Sequence, residues 1–94
     1  MHETGMVRDL VRKIVQTAQE AGAEGVNDVH VWMGALVPFS EAHLRDHFEE
    51  EVRGTPAEGA VLHIQVSDDV GSENAQQVIL RRIGLRLPHK KSHA

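Results

Sequence analysis

The apolar residues of this chain switch between two periods, and that switch bounds what it can fold into. From Thr4 to Ala21 they recur at spacings of three and four, through Met6, Val7, Leu10, Val11, Ile14, Val15 and Ala18. Arg8, Asp9, Arg12, Lys13, Gln16 and Gln19 fill the opposite side. One apolar stripe at that spacing predicts an amphipathic helix. Gly22 follows as its stop, since glycine accepts the left-handed conformation that closes a helix. From Val26 to Met33 the period falls to two: Val29, Val31 and Met33 share one side, Asp28, His30 and Trp32 the other. That predicts a strand with one buried face, ended by Gly34. A chain with both periods has to pack helix against sheet.

The switch then repeats. Ser40 is a good N-cap, and Phe39 before it can staple onto Leu44. Leu44, Phe48 and Val52 make the buried stripe of a second helix, closed by Gly54, and Thr55 to Gly59 is a turn-rich connector. Across Ala60 to Val66 alternation returns, with Ala60, Leu62, Ile64 and Val66 inward and Val61, His63 and Gln65 outward. A polar loop from Ser67 to Asn74 leads to a third strand over Gln77 to Leu87. Its phase slips: Val78 and Leu80 alternate, Arg81-Arg82 intervene, and Ile83, Leu85 and Leu87 resume on the odd positions. One extra residue at Arg81-Arg82 restores a single apolar face, which predicts a β-bulge there. The expected class is α+β in the order α-β-α-β-β, two helices packed on one face of a three-stranded sheet. The other face would carry His30, Trp32, Val61 and His63. A chain of 94 residues makes one small domain, expected over 1–87, with 88–94 expected as a disordered tail.

Composition narrows the function. The net charge of −4 argues against nucleic acid, which needs a basic face. No apolar run approaches the ~18 residues of a membrane helix, and the start lacks a signal-peptide pattern, so the cytoplasm is the expected location. There is no cysteine, hence no disulfide, thiolate metal site or cysteine nucleophile within the chain. No serine has a recognisable nucleophile setting and no glycine loop fits a phosphate, so no enzyme activity and no catalytic residue is expected.

Four stretches carry a family likeness: the start Met1-His2-Glu3, the strand region "GAEGVNDVHVWMGAL", the connector "VRGTPAEGAVLHIQ" and the end "LRRIGLRL". In that order and spacing the chain resembles the HypA (HybF) family of nickel chaperones for nickel–iron hydrogenase maturation. The family inserts a zinc domain with two Cys-x-x-Cys pairs between its last two strands. Here a short loop around Asp68 to Asn74 takes that place, so no zinc site is expected. Thr4, Gly5 and Arg8 also depart from the residues usual in the family.

The opening residues have chemistry of their own. An N-terminal X-His pair offers a free amine, a backbone amide nitrogen that a metal can deprotonate, and an imidazole. Nitrogen donors in one plane suit Ni²⁺ or Cu²⁺, whereas zinc prefers a tetrahedron. The metal has to displace protons from amine and imidazole, so binding should depend on pH near neutrality. The resemblance implies Ni(II) as the ion, His2 as its main ligand and Glu3 in support, with Met1 supplying the amine. It also implies a HypB-like GTPase and the hydrogenase large subunit as partners.

Other histidines compete for attention. His43 and His47 stand one helical turn apart on the second helix, a spacing that suits metal, with Glu50 and Glu51 nearby in sequence. His30, Trp32 and His63 would meet on the open sheet face, where an exposed tryptophan suggests a partner interface. His89 and His93 fall in a lysine-containing tail that reads as solvated. Two functions follow. One is a nickel metallochaperone-like protein that binds Ni(II) through Met1, His2 and Glu3 and assists hydrogenase maturation. The alternative is a HypA-derived docking or structural subunit of a hydrogenase-type complex, without metal transfer.

Overall fold

A computed structural model describes residues 3–88. Met1, His2 and the tail beyond Pro88 lie outside the described residues, as do the side chains of Glu3 and Thr4. The elements run α1 (Glu3–Glu20), β1 (Gly25–Met33), α2 (Glu41–Glu51), β2 (Val61–Val66) and β3 (Val78–Arg86). The order matches the expected α-β-α-β-β.

α1 buries Val7, Leu10, Val11, Ile14 and Ala18, the stripe its periodicity requires. It closes as a glycine-capped turn: Gly22 has φ +69°, its N–H donates to the Gln19 carbonyl at 3.1 Å, and the Ala23 N–H donates to the Ala18 carbonyl at 2.9 Å. α2 starts where the Ser40 hydroxyl accepts the His43 N–H at 3.1 Å. Phe39 packs against the core that contains Leu44, Phe48 and Val52. The Arg45 guanidinium donates to the Leu62 carbonyl at 2.8 Å and ties α2 to β2.

β1 is the central strand of a mixed sheet ordered β2-β1-β3. β2 lies parallel to it, as the intervening helix allows, and β3 antiparallel. Val26, Val29, Val31 and Met33 of β1 are buried beneath the helices together with Leu62. Val78, Leu80, Ile83 and Leu85 of β3 pack partly against the same core. The phase slip in β3 is a real bulge: His30 pairs with Arg82 and Val31 with Leu80, which leaves Arg81 without an opposite number. A second irregularity was not anticipated. Val26 pairs with Leu85 and Asp28 with Gly84, so Asn27 is the extra residue on β1.

Two inward expectations fail. Val66 is 54% exposed, because it ends an edge strand that no described residue covers there. Leu87 is 58% exposed, because β3 stops at Arg86. The loop over residues 67–77 is held at both ends. The Ser67 N–H donates to the Met33 carbonyl at 2.8 Å, and the Gly34 N–H donates to the Gln77 carbonyl at 2.9 Å. No described helix is long and apolar enough to cross a membrane.

Candidate functional site

The sheet has helices on one face only, so the outward positions of its strands form an open surface. The register sets them in rows. Gly84, Asp28 and Val61 form one row across β3, β1 and β2; Arg82, His30 and His63 the next; Ile79, Trp32 and Gln65 the third. Alternation along β1 turns Asp28, His30 and Trp32 outward together, and parallel pairing sets His30 beside His63. The two imidazoles stack, with centroids 4.3 Å apart and planes 11° from parallel. The Asp28 carboxylate lies 4.0 Å from Nε2 of His30, too far for a direct hydrogen bond. It occupies the space that a side chain on Gly84 would need.

These three residues are a set of potential ligands. One ligand atom from each of Asp28, His30 and His63 lies within 4.8 Å of the others. The two histidines border a shallow groove of about 510 Å³, lined also by Gln65, Arg81 and Arg82 among others. The bulge aims Arg81 over Trp32, with its guanidinium carbon 5.9 Å from the ring centroid, a cation–π contact.

His30, Trp32 and His63 therefore share one face, as the strand patterns imply. Asp28 shares that face and is the member of the cluster that sequence reasoning misses. The signal was its phase with His30; the missing step was the register that brings His63 alongside. His43 and His47 lie on α2, but no third ligand joins them into a comparable cluster among the described residues. Glu51 instead faces Arg8 at 3.7 Å. Of the opening triplet, Glu3 begins α1, and Met1 and His2 fall outside the described residues.

Fold and site together define a small α+β domain with a one-sided sheet whose outer face carries a cluster of two histidines and an aspartate. A family model described as "Hydrogenase/urease nickel incorporation, metallochaperone, hypA" matches residues 1–72, and the chain belongs to the HypA family. It is 35% identical over 66 residues to the hydrogenase maturation factor HypA of Archaeoglobus fulgidus, covering 70% of this chain and 60% of that protein. It is 36% identical over 80 residues to HypA of Klebsiella pneumoniae strain 342, covering 84% and 70%. The chain thus spans between 60% and 70% of the length of these two relatives. The solution structure of the nickel metallochaperone HypA from Helicobacter pylori shares the fold, with a TM-score of 0.79 at 15% identity, over 94% of this chain and all of that one.

Proposed function

We propose that this chain is a nickel-handling domain that takes Ni(II) as cargo through the Met1 amine, the His2 amide and imidazole, and Glu3, in the service of nickel–iron hydrogenase maturation. The observation that carries this is a family match that starts at residue 1, over a chain that opens Met1-His2-Glu3. Local structure supports it. α1 begins at Glu3, and the first N–H groups of a helix have no partner within it. A metal can therefore displace the Glu3 amide proton without breaking a helical hydrogen bond. A free amine, an amide nitrogen and an imidazole on successive residues of one short segment close adjoining chelate rings, a planar arrangement suited to Ni²⁺. The relatives' names place them in hydrogenase maturation. By extension a HypB-like GTPase and a hydrogenase large subunit are the proposed partners, residues 1–87 the proposed nickel domain and the cytoplasm its proposed location.

The test is a nickel titration of untagged protein, followed by the visible absorbance of planar nickel. One ion per chain with that spectrum is expected, lost both in His2→Ala and when the Met1 amine is acetylated. A planar-nickel spectrum that survives both changes, or that never forms, rejects the chelate. The domain would then be read as a docking module, with His30, Trp32 and His63 on its contact face.

A further inference from the structure

We infer that Asp28, His30 and His63 form a second metal site on the open face of the sheet, independent of the N-terminal amine. It takes a late first-row divalent ion of the zinc, nickel or copper class. The donor set is two imidazole nitrogens and one carboxylate oxygen, which these ions accept and which calcium and magnesium do not favour.

Three features of the fold build the site. β1 and β2 run parallel in a register that sets His30 directly beside His63. Asp28 sits two residues before His30, on the same side of the strand. Opposite Asp28 on β3 stands Gly84, where a Cβ would collide with the Asp28 carboxylate. The absence of that Cβ is what lets the carboxylate lie over the strand. The ligand atoms are within 4.8 Å of one another, whereas ligands about 2.0–2.2 Å from a tetrahedral ion stand about 3.4 Å apart. Closing that difference takes a tilt of the stacked rings and a turn of the carboxylate. All three side chains are half-buried or exposed, so they are free to make those movements. Three protein ligands leave the outer coordination positions to water, as in sites where metal exchanges or reacts.

Two local charges oppose the ion. Arg82 lies in register with His30, on the side of β1 away from His63, and Arg81 borders the same groove. Both are exposed, so solvent screens them, and Arg81 is drawn toward the Trp32 ring. This opposition gives the site a signature: removing the positive charge at residue 82 should tighten metal binding.

The test uses the full chain carrying His2→Ala, so that the outcome does not depend on the N-terminal chelate. Zn²⁺ is the probe because it is diamagnetic, and the ring ¹⁵N resonances of the histidines are the readout. One equivalent is expected to shift the rings of His30 and His63 together. Losing a partner one bond beyond a ligand already costs about 10–100-fold in affinity. His30→Ala and His63→Ala, each at a half-exposed or exposed position, should therefore weaken zinc at least tenfold, and Asp28→Asn should weaken it too. Arg82→Glu should strengthen it. Zinc that shifts other rings while leaving His30 and His63 in place overturns the site. So does affinity unchanged in His63→Ala, or no binding at all. Each of these results leaves the N-terminal nickel test untouched.

Discussion

At the scale of single residues, two glycines show how backbone crowding and side-chain crowding differ in cost. Gly34 ends β1, and a Cβ built on it would meet the carbonyl group of Ala75 and the carbonyl oxygen of Asn74. Those are backbone atoms of the 67–77 loop, and they are held in place. The Leu36 N–H donates to the Ala75 carbonyl at 2.7 Å, and the Gln77 N–H donates to the Asn74 carbonyl at 2.9 Å. At Gly84 the atoms nearest the added Cβ are those of the Asp28 carboxylate, which can rotate away on an outward-facing position. Gly34→Ala is thus expected to cost about 1–3 kcal/mol, as overpacking does, and Gly84→Ala within about 1 kcal/mol. Urea unfolding of both variants checks this; equal losses would mean that the loop gives way as easily as a side chain. The chelate proposed for Met1-His2-Glu3 is also argued at this scale, since it needs only three adjacent residues. The cluster of Asp28 with His30 and His63 was not, because His63 is distant in sequence and only strand pairing brings it near.

At the scale of elements, the bulge in β3 tests how far side-chain phase dictates pairing. With Arg81 as the extra residue, Val78, Leu80, Ile83 and Leu85 all turn toward the helices. Deleting Arg81 closes the bulge and leaves those four on the same face. The expected loss is small, about 0.5–1 kcal/mol, from the lost cation–π contact with Trp32. Deleting Ile79 instead forces Val78 outward or breaks the first pair of the strand, with a loss on the order of 2 kcal/mol. Denaturant midpoints rank the two, and the fluorescence of Trp32, the only tryptophan, reports whether Arg81 has left its ring. An equal loss in both deletions would show that phase does not set this pairing. The bulge was readable because four apolar residues changed phase across two arginines. The Asn27 irregularity left a weaker trace. Val26 stands on the same parity as Asp28, His30 and Trp32, yet it is buried, and a single valine out of phase carries little weight against three residues in phase. The inward assignments of Val66 and Leu87 fail for a related reason: alternation gives the side of a strand but not where its cover ends.

At the scale of the whole molecule, the one-sided sheet means that stability and the outer face are nearly separate. The helices and the inner sheet face share one core, in which Phe48, Ile14 and Leu44 are fully buried. A domain of this length has a net stability of about 5–15 kcal/mol. Truncating a buried phenylalanine costs about 3–5 kcal/mol, because the lost burial is joined by the cavity left behind. Each kcal/mol moves the melting temperature of a domain this size by about 4–8 °C. Phe48→Ala should therefore lower the melting temperature by more than about 10 °C and bring the chain close to unfolding at physiological temperature. His63→Ala removes an exposed ring from an edge strand and should shift it by less than about 4 °C, within the ±0.5 kcal/mol usual for surface changes. Thermal melts of both, without metal, make the comparison. If His63→Ala proved as damaging as Phe48→Ala, the outer face would be holding the fold together, and its histidines would be structural. If the two separate as expected, the stacked imidazoles add little to folding, and the outer face can bind and release an ion without straining the core beneath it.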